Sequence, residues 1–146
     1  MPLSSYSYNL ATAALTPILA GFPGKIVAID GRPGSGKTTL GRYLAWHFNV
    51  SLLETDLFLK DGQGFSYHLD HLERMIAQRT ERPLPVIVDG VAIRWLLDSI
   101  GLSADFTIYC VNSGPTSGNS PFDHVVVYET KYRPDETSNL VVELSH

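Results

Sequence analysis

The octapeptide Gly31-Arg32-Pro33-Gly34-Ser35-Gly36-Lys37-Thr38 constrains this chain more than any other feature, because it satisfies every fixed position of the pattern G-x-x-x-x-G-K-[ST]. Such a loop works only where a strand ends and a helix begins. Its glycines let successive backbone N–H groups turn inward, and the helix that follows adds the positive end of its dipole. The flanks supply both elements. Ile26-Val27-Ala28-Ile29 is a continuous apolar run, as suits a strand buried on both faces, and Leu40, Leu44 and Phe48 recur on one face of a helix over residues 38–48.

The rest of the sequence continues the alternation of short apolar runs and helical patterns that marks a parallel α/β sheet. Ser51-Leu52-Leu53-Glu54 reads as a second strand and Asp61-Gly62-Gln63-Gly64 as a turn, while Leu69, Leu72, Met75 and Ile76 mark the apolar side of a helix over residues 69–79. Pro83 and Pro85 lead into a third strand, Val86-Ile87-Val88-Asp89, followed by a helix over residues 92–100 with Gly101 as its left-handed cap. Residues 106–111 and 140–144 are the fourth and fifth strands. Residues 112–120 lack both charge and large apolar groups and read as a loop, and Pro121 suits the first position of a helix on which Phe122, Val125, Tyr128 and Tyr132 share a face. Val125-Val126-Val127 pulls locally toward a strand instead. Upstream, residues 9–20 read as an amphipathic helix, broken or kinked near Pro17 and ended by Gly21-Phe22-Pro23-Gly24. This gives an N-terminal helical extension, residues 1–24, packed onto a single domain of residues 25–146.

Composition removes several classes of function. With 44% hydrophobic and 18% charged residues in a chain of 146, one folded core is expected. Eleven Lys+Arg against fifteen Asp+Glu leave a net charge of -4, so no basic field is present for a nucleic-acid backbone, and no nucleic-acid partner is expected. The apolar stretch 10–22 contains Thr12, Thr16 and Pro17, is shorter than the roughly 20 residues of a membrane helix, and follows a start without Lys or Arg, so neither a membrane partner nor a secretory leader is expected. The single cysteine, Cys110, lies in a run that reads as a buried strand. It is expected to be a structural thiol in a reducing, cytoplasmic setting.

The loop's residue types point to phosphate chemistry. Backbone amides of residues 34–38 would cradle a di- or triphosphate, Lys37 would reach between the β- and γ-phosphates, and the Thr38 hydroxyl would coordinate Mg²⁺. Gly31, Gly34, Ser35, Gly36, Lys37, Thr38 and Thr39 are the nucleotide-binding set, with Thr39 either touching the α-phosphate or staying on the helix surface. A hard cation also wants a carboxylate at the end of a neighbouring strand, and Asp89 provides one. Asp89 is the candidate metal partner, the alternative being an N-cap for the helix that follows. Asp30 also ends a strand and is as readily a structural cap for the loop.

Ile29 to Leu40, Glu54-Thr55-Asp56-Leu57-Phe58 and Val86-Ile87-Val88-Asp89-Gly90-Val91 together resemble the P-loop small-molecule kinases, nearest to the uridine kinase and phosphoribulokinase group. Tyr128-x-x-x-Tyr132-Arg133-Pro134 before Asn139-Leu140-Val141-Val142 is similar to that group's last helix and strand. The resemblance implies an α/β, three-layer P-loop NTPase fold with a five-stranded parallel sheet in the order 2-3-1-4-5 and helices on both faces. It implies ATP and Mg²⁺ as cofactors, a small-molecule acceptor, and Asp56 beside the acceptor hydroxyl as a base. Strand ends are also where such sheets bind ligands on general grounds, and a carboxylate there can take a proton from an attacking hydroxyl, the alternative for Asp56 being a solvated loop aspartate.

The resemblance further implies arginines in a lid after the fourth strand, whereas no Lys or Arg occurs from Leu96 to Val127. Either Arg94 or a neighbouring chain would then supply the transition-state charge, which leaves oligomerisation open, or phosphate transfer would be weak. The chain between the residue 69–79 helix and the third strand is also too short for the acceptor-binding insertion of uridine kinases. Tyr67, His68, Asp70 and His71 precede or open a helix and read as acceptor-lining residues or, on the simpler view, as exposed groups with Asp70 at the positive helix end. Trp46 and Trp95 read as core or interface. The leading function is transfer of the γ-phosphate of Mg-ATP to a hydroxyl of a small metabolite, with Asp56, Lys37 and Arg94 as catalytic residues and Thr38 and Asp89 as metal ligands. The alternative is a nucleotide-binding NTPase or switch, or a degenerate P-loop protein that only binds.

Overall fold

The computed structural model describes residues 6–21, 23–58, 67–112 and 123–144. The expected turn at 61–64, the loop at 113–120, and Pro121 and Phe122 at the start of the late helix lie outside the described residues. Helices α1 (Tyr6–Leu19), α2 (Lys37–Phe48), α3 (Leu69–Thr80), α4 (Ile93–Ser99), α5 (Asp123–Tyr132) and the single-turn α6 (Pro134–Thr137) alternate with strands β1 (Ile26–Gly31), β2 (Ser51–Glu54), β3 (Val86–Gly90), β4 (Phe106–Asn112) and β5 (Leu140–Leu144). A 3-10 turn, Thr55–Phe58, follows β2 directly.

The five strands form one parallel sheet in the order β2-β3-β1-β4-β5. β1 and β3 are buried along their whole length, which is why both read as unbroken apolar runs. Successive residues of a strand face opposite sides, so β1 divides its side chains between two cores. Val27 and Ile29 join Ile87, Ile108, Cys110 and Val142 beneath α1 and α2. Ile26 and Ala28 join Val86 and Val88 beneath α3 and α4. The first core takes in Tyr8, Ala11, Leu15 and Leu19 from α1, and the Ser7 hydroxyl donates to the Glu143 carbonyl of β5 at 2.5 Å. α1 runs through Pro17 as one helix. No described helix is long and apolar enough to cross a membrane.

Three local expectations are corrected. Met75 is 41% exposed while Leu72 and Ile76 are fully buried, because α3 turns a narrower stripe to the sheet than its four apolar residues allow. Trp46 and Trp95 are exposed at 77% and 48% and are not core residues. Ala92 does not open α4 as a helical residue. It is the residue before the helix, in a left-handed conformation (φ 55°) that costs an alanine about 1 kcal/mol. Gly101 does adopt the expected left-handed φ of 73°.

Candidate active site

The carboxyl ends of β1, β2 and β3 bring the sequence-derived site residues to one edge of the sheet. After β1 the chain turns through Arg32 and Ser35, whose carbonyl and N–H bond at 3.1 Å, and enters α2 at Lys37. Gly34 (φ 77°) and Gly36 (φ 91°) hold left-handed conformations that side chains rarely adopt, which makes glycine a requirement at both positions. A Cβ on Gly31 would collide with the Ser35 hydroxyl, so the loop closes only because Gly31 lacks one. Lys37 lies buried along the loop, its Nζ donating to the Arg32 carbonyl at 3.2 Å. Burial lowers its pKa; of the charges that oppose this, Asp89 acts most strongly, with weaker effects from Asp30 and Asp56. Thr38 is half-buried beside it and Thr39 is exposed.

Asp89 is fully buried on the α2 side of the sheet, level with Ile29 of β1 and Glu54 of β2. Neither of its carboxylate oxygens has a hydrogen-bond partner, so it does not cap α4, whose first turn opens from Ala92 instead. Burial foremost, then repulsion from Glu54 and Asp56, pushes its pKa up to about 7, against the pull of Lys37 and Arg42. An orphaned buried carboxylate is costly in an empty protein and natural in one that binds a cation. The Ser35 hydroxyl is likewise buried and unpartnered. The donor set of Thr38, Ser35 and Asp89 thus fits a magnesium-bound phosphate chain, with hard oxygen ligands on one side and unused donors on the other.

Asp56 lies exposed on the 3-10 turn after β2. Glu54, two residues earlier at the end of β2, receives a two-point contact from Arg42 of α2 at 2.9 and 3.2 Å. Tyr67 comes back to this place: the His68 N–H bonds the Phe58 carbonyl at 2.7 Å, and burial raises the Tyr67 pKa, with Asp56 adding to the effect. His68 and His71 stack on one another at 5.4 Å, and both are exposed with Asp70 in the first turn of α3. Among the described residues no group of three His, Cys, Asp or Glu side chains is arranged to hold a metal by itself.

Arg94 is placed differently from the other candidates. Its guanidinium donates to the Thr137 hydroxyl at 2.5 Å and the Ser138 hydroxyl at 2.9 Å, so a role toward the phosphates requires it to leave both. Asp30 faces the α4–α5 side and is bonded throughout: it accepts from the Gly31 N–H at 2.9 Å and from the Tyr128 hydroxyl at 2.5 Å, and also from the Ile93 N–H. It is the structural cap that one reading of the sequence gave it. Cys110 is buried, and burial pushes its thiol up to about 12, so it is inert.

Two site features escaped the sequence. A Cβ on Gly41 would lie 3.2 Å from Asp89 Oδ2, so this glycine lets α2 press directly over the carboxylate. Its signal was a glycine inside a helix, which normally costs about 1 kcal/mol and needs a packing reason. Gly90 does the same for Thr55, whose hydroxyl occupies the space a Cβ would take.

No family model matches this chain. Among curated proteins, 39 residues are 49% identical to a shikimate kinase of Corynebacterium diphtheriae, a match over 27% of this chain and 22% of that protein. The match thus spans about a fifth of the relative's length. A solved structure described as a possible uridine kinase from Bacillus stearothermophilus is similar over 93% of this chain and 97% of its own, with a TM-score of 0.62 and 16% identity. A sugar kinase from Janibacter sp. HTCC2649 is similar over 83% of this chain and 86% of its own, with a TM-score of 0.55 and 17% identity. The chain has the fold seen in P-loop small-molecule kinases, including the expected strand order.

Proposed function

We propose that this protein is an ATP-dependent small-molecule kinase, moving the γ-phosphate of Mg-ATP to a hydroxyl of a small metabolite. The observation that carries the reading is the pairing of a buried, unpartnered Asp89 carboxylate with a buried Lys37 in a complete phosphate loop. Loop amides and the start of α2 would bind the phosphate chain, with Lys37 lying along its β- and γ-groups. Thr38 and Asp89 would hold Mg²⁺, which supplies charge neutralisation on the β- and γ-phosphate oxygens. Asp56, at the open end of the site, would take the proton of the acceptor hydroxyl as it attacks. Tyr67 and the 3-10 turn would form the near wall of the acceptor site. Use of ATP suits the cytoplasm, as does a single buried thiol.

The transition state asks for positive charge on the equatorial oxygens beyond Lys37 and the metal. Arg94 would supply it only by releasing Thr137 and Ser138, so slow transfer is part of this proposal. Isothermal titration of Mg-ATP into the wild type and Lys37→Ala tests the binding half. Equal affinity for the two proteins sinks the reading. Acceptor-stimulated ADP release across nucleosides, sugars and hydroxy acids tests the other half, and ATP binding with no stimulation by any acceptor favours a switch or a binding-only protein.

A further inference from the structure

The phosphate loop is held from outside by two successive residues of α5. Asp30 and Arg32 flank Gly31, and each is bonded to one of them. The Tyr128 hydroxyl donates to Asp30 at 2.5 Å, and the Arg32 guanidinium meets both carboxylate oxygens of Glu129 at 2.7 Å. Both grips are themselves anchored. The Tyr128 hydroxyl accepts the Arg94 N–H at the start of α4 at 3.3 Å, and the Tyr109 hydroxyl of β4 donates to Glu129 at 3.3 Å. Tyr128 and Asp30 are almost wholly buried, so their bond has no competing water. Arg32 is about half exposed, yet its contact has the parallel two-point geometry that makes arginine–carboxylate pairs directional, and it holds the Glu129 carboxyl below the usual range.

The loop needs such support. Its glycines at 34 and 36 supply conformational freedom rather than rigidity, and a loop that must be ordered when the ligand arrives loses affinity in proportion to the fraction of time it is misshapen. We propose that Tyr128 and Glu129 are positioning residues for phosphate binding, which clamp the first turn of the loop on either side of Gly31 and hold it in its anion-cradling shape before any ligand arrives. This rests on the nucleotide-binding reading above. Neither residue needs to touch the nucleotide. The clamp makes α5 and the phosphate loop one mechanical unit.

A double-mutant cycle with two readouts tests it. Mg-ATP affinity is measured by titration calorimetry for the wild type, Arg32→Ala, Glu129→Ala, the double variant and Tyr128→Phe. Amide hydrogen exchange of residues 31–38 is followed in the same ligand-free proteins. Each alanine variant should bind about three- to tenfold more weakly, the double variant no more weakly than the worse single, and loop exchange should accelerate while that of α3 stays unchanged. Tyr128→Phe should show the same pattern. Should it fail to fold, the Arg32–Glu129 pair on the exposed side still decides the matter. Glu129→Ala binding as tightly as the wild type or tighter would overturn the proposal, since Glu129 would then be irrelevant or would be withholding Arg32 from the phosphates. Additive losses in the double variant would overturn it as well. If the wild type binds no Mg-ATP, the kinase reading fails, and loop exchange alone decides the clamp, unchanged exchange in Glu129→Ala refuting it.

Discussion

Two aspartates end neighbouring strands of this sheet, one step apart in the β1–β3 register, and they live opposite lives. Asp30 turns to the α4–α5 side and has Gly31, Ile93 and Tyr128 donating to it. Asp89 turns to the α2 side, equally buried, and has nothing. A protein that satisfies one buried carboxylate completely and leaves its neighbour bare is using them differently. The satisfied one fixes structure, and the bare one is left for the cation proposed above. Burial alone does not separate them; only the inventory of partners does.

The contrast breaks or holds first on activity. Asp89→Asn should lower phosphoryl transfer by about a thousandfold or more by removing the proposed metal ligand, while leaving the unfolding free energy equal to or above that of the wild type. Steady-state turnover and urea denaturation on one preparation read both halves, and a large loss of stability would assign Asp89 to the fold. Asp30→Ala should do the reverse to stability. Stranding the buried Tyr128 hydroxyl and two N–H groups should cost about 3 kcal/mol in urea unfolding. Little change there would mean that water replaces the carboxylate and that the clamp has another anchor.

The pH dependence of stability sharpens the comparison. Burial raises the folded-state pKa of Asp89 to about 7, against 3.8 for an aspartate in water, so the folded state keeps a proton that the unfolded chain releases. Ligand-free stability should therefore be highest below the unfolded value and fall as pH rises through 7, at about 1.4 kcal/mol per unit at the steepest. Burial raises Asp30 in the same direction, so both groups contribute with one sign. Asp89→Asn should remove most of the slope; what remains combines Asp30, acting in the same sense, with Glu129, whose lowered pKa acts in the opposite sense toward acid pH. Thermal melts at pH 5 and pH 8 measure it, and an identical slope in the variant would contradict the assignment. The smallest effect concerns how the Asp30 side is aimed. Ala92 sits left-handed just before Ile93 and Arg94, whose N–H groups serve Asp30 and the Tyr128 hydroxyl. Ala92→Gly should relieve the strain and stabilise by roughly 0.5–1 kcal/mol, less the added entropy of the unfolded chain.

The same contrast shows how far the sequence could be read. The placement of Asp89 at a strand end was legible because its signal is local: three apolar residues and then an acid, in a chain that already carries a phosphate loop. The strand order was implied by the resemblance and is present. The satisfaction of Asp30 was not legible, because its partner Tyr128 lies 98 positions away and a tyrosine on an apolar helical face reads simply as core. Arg32 and Glu129 are 97 apart and carry no mutual mark at all. Arg94 read as the source of transition-state charge, and only the folded arrangement of α6 and Ser138 shows that hydroxyls have taken its guanidinium. Exposure of Met75, Trp46 and Trp95 was missed for a related reason: helical periodicity tells which residues share a face, not how wide a stripe the neighbouring sheet covers.

The N-terminal helix has one more consequence. β5 is the last strand in the sheet order, and a border strand is a ready template for a foreign strand. α1 lays Tyr8, Ala11, Leu15 and Leu19 into the core beside β5 and sets Ser7 on the Glu143 carbonyl, one of the groups such a visitor would seek. A helix that first read as an appendage is thus tied both to the core beneath the sheet and to the backbone of its border strand.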